Sequence, residues 1–177
     1  MTDCDTPRGR IAIKYEQEIA KRMATLWSLD VTMTGIGSDI DTAPIDALFS
    51  RNGVLVAVAE IKTRNLDIRS LHHFNSYLIT WDKLRHGRFI GRLLHVPYLL
   101  IVGLTDADVW WKISDCDGAW IEHPIIKSTV TQKNINGGLR RRRNAFVSLN
   151  RMRVAPFVKD ESALLDQTHT DRYEAKV

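Results

Sequence analysis

The sequence lacks the features that would place the protein in a membrane or outside the cell. No apolar run approaches the roughly 20 residues that cross a bilayer, and the N-terminus, MTDCDTPRGR, has no apolar signal-peptide core. Only two cysteines occur, Cys4 and Cys116, and neither has a second Cys or a His at zinc-site spacing. We therefore expect a cytoplasmic protein with free thiols, without a disulfide framework, a membrane partner or an organic cofactor.

Acidic residues are missing from one long stretch of the chain. Residues 127–153 contain no Asp or Glu but eight basic residues, which are Lys127, Lys133, Arg140, Arg141, Arg142, Arg143, Arg151 and Arg153. This one-signed stretch predicts a polyanionic partner. The last segment, KDESALLDQTHTDRYEAKV, has the opposite balance of charge and few apolar residues, and we expect it to be poorly ordered or to form a short appended helix.

Length and composition are those of one ordinary globular domain. The chain has 177 residues, with 44% hydrophobic and 26% charged residues. We predict an N-terminal tail over residues 1–9, a single domain over residues 10–158 and a polar tail over residues 159–177.

Hydrophobic patterning predicts a mixed α/β (α+β) fold. RIAIKYEQEIAKRMATLW has helical periodicity and places Glu16 on the core-facing stripe with Ala12 and Ala20. GIGSDIDTA has the composition of a loop, and a hairpin follows, over residues 45–49 and 54–62. A further helix begins after Thr80, and PYLLIVGL, DVWWKI and part of NAFVSLNRMRVAPF have the patterns of later strands. This order predicts a sheet with helices packed on it.

The hairpin carries three charged residues, Asp46, Glu60 and Lys62, among apolar neighbours. If the turn is the longer one, with Gly53 in the left-handed conformation, Asp46 lies opposite Val58 and diagonal to Glu60 on one face. If the turn consists of Asn52 and Gly53 alone, the register slips by one residue and the two carboxylates point to opposite faces. Period-2 alternation places Lys62 on the face of Glu60 in either case.

Two carboxylates on one face could share a divalent cation. Buried carboxylates repel one another unless a cation or a proton lies between them, and Mg²⁺ prefers such oxygen ligands. Lys62 would then orient or deprotonate a water molecule, or stabilise charge on a phosphate. The longer turn therefore predicts a phosphodiester hydrolysis site, and the alternative is an exposed ion pair of little energetic value.

The motif PIDALF, then EIKTR after thirteen residues between Asp46 and Glu60, resembles the signature of the PD-(D/E)xK nuclease superfamily. The segment YEQEIA, with Glu16, is similar to the first helix of Holliday-junction-resolvase-like members. In this chain Ile45 separates the proline from the aspartate, a position where the superfamily is loose. The resemblance covers residues 11–113.

The resemblance implies a restriction-endonuclease-like fold, a mixed central sheet flanked by helices with the core order α-β-β-β-α-β. It implies that Asp46, Glu60 and Glu16 are catalytic residues that bind Mg²⁺, for which Mn²⁺ can substitute. It also implies that the carbonyl of Ile61 completes the metal coordination and that Lys62 is the catalytic lysine.

Several basic residues are candidates for DNA contact. We expect Gly137 and Gly138 to introduce a loop that drapes over a duplex, and basic side chains to track the phosphate backbone. The candidates are Arg64, Lys83, Arg140, Arg141, Arg142, Arg143 and Arg151. For Lys83, a role in the site and a solvated position both remain open.

The sequence thus predicts a Mg²⁺-dependent endonuclease that hydrolyses DNA with a metal-activated water. Its resolvase-like or phage-type resemblance suggests branched, recombination or replication DNA, and cutting two strands favours a homodimer. An inactive DNA-binding module derived from a nuclease, or a ribonuclease with the same site, is the alternative.

Overall fold

The computed structural model describes residues 7–35, 43–134 and 137–155. The helices are α1 (Pro7–Trp27), α2 (Ile68–Phe74) and α3 (Trp81–Leu93), with a 3-10 turn at Leu149–Arg151. The strands are β1 (Asp30–Met33), β2 (Ala47–Arg51), β3 (Val54–Thr63), β4 (Ser76–Thr80), β5 (Tyr98–Gly103), β6 (Asp108–Ser114), β7 (Ile125–Asn134), β8 (Gly137–Ser148) and β9 (Arg153–Ala155). Most of the predicted GIGSDIDTA loop and the whole C-terminal tail lie outside the described residues, and the predicted domain bounds stay a prediction.

Two sheets form the fold. The larger sheet has six strands in the order β1-β2-β3-β5-β6-β9, and the smaller has three in the order β4-β8-β7. Strands β3 and β5 pair in parallel, while their other neighbours are antiparallel. A mixed sheet flanked by helices is thus confirmed, and α1, β1, β2, β3, α3 and β5 follow the predicted core order, with α2 and β4 inserted before α3.

Each face of the larger sheet has its own apolar core. Helix α1 covers one face, where Ile19, Ala20 and Met23 belong to the same buried cluster as Phe49 and Ile61. The opposite face is covered by the smaller sheet and α3, through a cluster that includes Val58, Tyr77, Leu84, Leu100, Trp111 and Ala145. The carboxylates and the lysine of the hairpin lie at the edge of this second core.

The hairpin has the shorter of the two turns that the sequence left open, and not the longer one on which the predicted metal site depended. Arg51 pairs with Val54, and Asn52 and Gly53 both have positive φ (51° and 77°), so the turn has two residues. A register shift follows, since Phe49 pairs with Ala57 and Ser50 with Leu55. This bulge inserts one residue into β3 and cancels the slip that the tight turn causes.

Because of the bulge, the two carboxylates still share a face. Leu48 pairs with Val58 and Ala47 with Ala59, and the N–H of Asp46 donates to the carbonyl of Ala59, immediately before Glu60. The carboxylates of Asp46 and Glu60 both contact the ammonium of Lys62.

The arginine run is not the predicted loop. Arg140, Arg141, Arg142 and Arg143 lie within β8, which pairs with the unpredicted strand β7 along most of its length. The reason is that β7 is rich in β-branched residues and supplies a complete hydrogen-bonding partner for the arginine backbone. Gly138, with φ of 78°, lies near the end of the hairpin.

The aromatic side chains divide between the two cores. Tyr77 and Trp111 are buried on one face of the larger sheet, and Trp110 packs on the opposite face beside Trp27. His72 and His73 are exposed on α2. None of the helices in the described ranges is long and apolar enough to cross a membrane.

Candidate active site

Three acidic side chains from separate parts of the chain converge on the ammonium of Lys62. Its Nζ lies 2.9 Å from Glu60 Oε1, 3.1 Å from Asp46 Oδ2 and 3.3 Å from Glu16 Oε1. Glu60 and Lys62 come from β3, Asp46 precedes β2, and Glu16 comes from α1. The structure thus brings together all four residues that the sequence predicted as catalytic.

The backbone of the hairpin fixes the aspartate. The N–H of Asp46 donates to the carbonyl of Ala59 over 2.8 Å, and the N–H of Ile61 donates to Asp46 Oδ2 over 2.8 Å. The hydroxyl of Thr34 donates to the carbonyl of Ile45. These bonds hold the Asp46 carboxylate against β3 before any ligand binds.

Lys83 is a fifth member of the cluster. From the first turn of α3 its Nζ lies 3.3 Å from Glu60 Oε1 and 3.9 Å from Asp46 Oδ1, and it donates to the carbonyl of Ala43 over 3.2 Å. The sequence singled out this lysine as a DNA contact, with a role in the site left open. The feature of the sequence that points to Lys83 is its position at the start of a predicted helix, next to the apolar Leu84, which is buried in the structure.

Burial dominates the electrostatics of the acids. Glu60 is fully buried, and desolvation raises its pKa although the charge of Lys62 lowers it. Desolvation also raises the pKa of Glu16 to about 7, against the attraction of Lys62. Burial lowers the pKa of Lys62, but the carboxylates of Glu60, Asp46 and Glu16 outweigh it and hold the pKa well above the ordinary value. The ammonium therefore keeps its charge.

Within the described residues, no group of three or more His, Cys, Asp or Glu side chains is arranged to hold a metal ion as it stands. The geometric reason is that Lys62 Nζ occupies the point where the carboxylates meet. The donor set nevertheless fits a hard cation, because it consists of carboxylate oxygens. Glu60 Oε2 is buried and accepts no hydrogen bond from the described residues, so it has capacity for a further ligand. The Ile61 carbonyl lies beside them and accepts from Lys62 Nζ over 2.6 Å.

The other predicted DNA contacts lie outside this cluster. Arg64 is exposed, donates to the carbonyl of Thr63 and lies 5.4 Å over the ring of Tyr77. Arg151 is exposed on the 3-10 turn. The four arginines of β8 form part of a hairpin that starts beside α3, where Arg143 lies 5.7 Å over the ring of Trp81.

Comparison with known proteins identifies the family. No curated protein matches the chain. Among solved structures, the Holliday junction resolvase Hjc of Archaeoglobus fulgidus is similar over 54% of this chain and 75% of its own, with 12% identity and a TM-score of 0.40. Residues 12–123 match the family described as "Phage putative PDDEXK endonuclease". This range includes all five members of what we call the carboxylate–lysine cluster, which are Glu16, Asp46, Glu60, Lys62 and Lys83. The chain therefore belongs to this family of phage PDDEXK endonucleases.

Proposed function

We propose that the protein is a Mg²⁺-dependent deoxyribonuclease that hydrolyses phosphodiester bonds at the carboxylate–lysine cluster, with Mn²⁺ able to replace Mg²⁺. The observation that carries this proposal is the convergence of Glu16, Asp46 and Glu60 on one point at the end of a buried hairpin. Burying three carboxylates together is unfavourable unless cations compensate them, and Lys62 and Lys83 supply that positive charge.

Asp46, Glu60 and Glu16 would hold the metal, with the Ile61 carbonyl as a further oxygen donor. A bound Mg²⁺ lowers the pKa of water and neutralises charge on a phosphate. Lys62, which now neutralises the carboxylates, would turn its ammonium toward the scissile phosphate and stabilise the developing negative charge. Lys83, 3.3 Å from Glu60, would keep that carboxylate ionised and oriented.

The raised pKa of Glu16 affects its charge at neutral pH. With a pKa of about 7 it holds a proton on part of the molecules at neutral pH. A second cation close to it would favour the ionised form, so loading of the site should release a proton from Glu16.

DNA is the proposed substrate, and branched recombination or replication DNA is the class to test first. We further propose that the protein acts in the cytoplasm. We also propose a homodimer, since two-fold symmetry presents two identical sites to two strands.

The test is cleavage of labelled DNA structures (duplex, nick, flap, junction) with Mg²⁺, Mn²⁺ or EDTA, using the wild type, Lys62→Ala and the matched surface variant Lys112→Ala. We expect metal-dependent cutting that Lys62→Ala lowers at least 100-fold and Lys112→Ala leaves unchanged. Binding without cutting under every metal condition would favour an inactive module, and preferential cutting of RNA counterparts would favour a ribonuclease.

A further inference from the structure

The hairpin formed by β7 and β8 extends beyond the body of the protein. Strand β4 pairs with β8 only from Asn144 to Ser148, so residues 137–143 of β8 and 128–134 of β7 form a two-stranded ribbon with no third strand among the described residues. We call this segment the basic ribbon. Its seven β8 residues span about 23 Å at roughly 3.3 Å per residue.

One face of the basic ribbon is turned toward the active site, and the other is turned away from it. Ala145 lies in the core against Tyr77 and Ile79, so its face is the one that turns toward α3 and the active site. By strand alternation Arg143 and Arg141 share that face, and Arg140 and Arg142 point to the other. The contact of Arg143 with Trp81 is consistent with this assignment.

The ribbon begins beside the active site. Trp81, under Arg143, is the first residue of α3, and Lys83 two residues later contacts Glu60. Asn144, at the base of the ribbon, pairs with Thr80 immediately before the same helix. A polyanion that lies in the active site would therefore continue along the ribbon face that carries Arg141.

The composition of the ribbon indicates which polyanion it fits. Residues 127–143 contain no aromatic side chain, whereas proteins that bind single strands use aromatic stacking platforms. A two-stranded ribbon matches the major groove of B-DNA, about 12 Å wide, and not the deep, narrow major groove of A-form RNA.

We propose that the basic ribbon binds the duplex DNA next to the cut site, with Arg141 and Arg143 facing the DNA. The proposal rests on the proposed nuclease function and deepens it, because it makes double-stranded DNA beside the scissile bond the substrate class. The ribbon then supplies affinity, while the carboxylate–lysine cluster supplies the chemistry.

The experiment measures binding by fluorescence anisotropy in EDTA, over a range of salt concentrations, for duplex DNA, single-stranded DNA and duplex RNA of one sequence. The proteins are the wild type, Arg141→Gln, the double variant Arg141→Gln with Arg143→Gln, and Arg140→Gln as the opposite-face control. The single variant keeps the test valid if loss of the Arg143 contact with Trp81 impairs folding.

For duplex DNA we expect a loss of affinity of at least tenfold in the double variant, and a salt slope lower by about 1.8, since each phosphate contact contributes about 0.9. Arg141→Gln should show about half of the change in slope, and Arg140→Gln less than a threefold loss of affinity. Equal losses for Arg140→Gln and Arg141→Gln, unchanged duplex affinity in the double variant, or tighter wild-type binding to single-stranded DNA or duplex RNA would overturn the proposal.

Cleavage of the same duplex with Mg²⁺ separates this proposal from the nuclease function. We expect the ribbon variants to raise KM and leave kcat within about threefold of the wild type, because they alter uniform binding. If the wild type never cuts while its duplex binding depends on Arg141, the nuclease function fails and the ribbon assignment stands. A fall in kcat at unchanged KM would contradict the ribbon's role in binding.

Discussion

The carboxylate–lysine cluster and the basic ribbon differ in how their charges are arranged. Opposite charges are paired in the cluster, whereas the ribbon carries charges of one sign. In the cluster, Lys62 forms ion pairs with all three acids and Lys83 with two of them, and Glu60 is fully buried. In the ribbon, Arg140, Arg141 and Arg143 are exposed, and residues 127–143 contain no acid. The difference follows from solvation: a buried charge requires a partner, whereas water can solvate an exposed one.

The largest stability effect should come from removing the central cation of the cluster. Lys62→Ala leaves three carboxylates around an uncompensated site, and we expect it to lower the free energy of unfolding by about 3–5 kcal/mol without metal. Urea denaturation measures this loss. Mg²⁺ should restore part of it, and a variant as stable as the wild type in EDTA would show that the cluster is not electrostatically coupled.

A substitution in α3 tests the element that joins the two regions. A Cβ at Gly87 would lie 2.2 Å from the Tyr98 ring, whose hydroxyl donates to the carbonyl of Lys83 over 3.4 Å. We expect Gly87→Ala to cost about 1–3 kcal/mol of stability and to lower nuclease activity. The control is the exposed Arg85→Ala on the same helix, for which the change should be within about 0.5 kcal/mol. Equal thermal stability of the two variants would contradict the close packing of Gly87 against the Tyr98 ring.

Glu16 should give the stability of the metal-free protein a pH dependence. Because the pKa of Glu16 is raised to about 7 in the folded protein, the folded state holds more protons than the unfolded state between pH 4.5 and 7. Stability of the metal-free protein should therefore fall as pH rises through this window, by on the order of 2 kcal/mol.

Denaturation at pH 5 and pH 8 in EDTA checks this, with Glu16→Gln beside Glu18→Gln on the same helix. We expect Glu16→Gln to reduce the fall and Glu18→Gln to leave it intact. Glu60 keeps a contribution of the same sign, because burial raises its pKa as well. An identical pH profile for both variants would mean that Glu16 does not carry the shift.

The smallest stability effect should come from the ribbon. Arg140 and Arg141 are exposed in a stretch of one sign, so replacing either with Gln should change the free energy of unfolding by no more than about 0.5 kcal/mol. Thermal denaturation tests this. A loss above about 1 kcal/mol would show that the arginines have a structural role, and the contrast with the cluster would disappear.

The sequence predicted the chemistry of the hairpin better than its geometry. Asp46, Glu60 and Lys62 were recognisable from spacing and family resemblance, and periodicity pointed to Glu16. The tight turn was one of the two alternatives, but its expected consequence, carboxylates on opposite faces, was wrong. A bulge between β2 and β3 restores the shared face, and such a bulge leaves no simple sequence signal.

The ribbon shows a second limit. Strand β8 pairs with β4 from a much earlier part of the chain, Asn144 with Thr80, and such long-range pairing is not encoded in local propensity. Four consecutive arginines indicate a solvated segment, and only the complementary strand β7 turns them into a sheet. The same pairing determines that Arg141 and Arg140 point in opposite directions.

The central claim is that the carboxylate–lysine cluster catalyses cleavage and is not merely part of a DNA-binding surface. The most direct measurement is single-turnover cleavage of a labelled duplex with Mg²⁺, beside DNA affinity in EDTA, for the wild type and Asp46→Asn. We predict that Asp46→Asn lowers the cleavage rate at least 100-fold while DNA affinity stays within about threefold or increases slightly. Cleavage at the wild-type rate by Asp46→Asn, or its loss only in proportion to lost binding, would contradict the account.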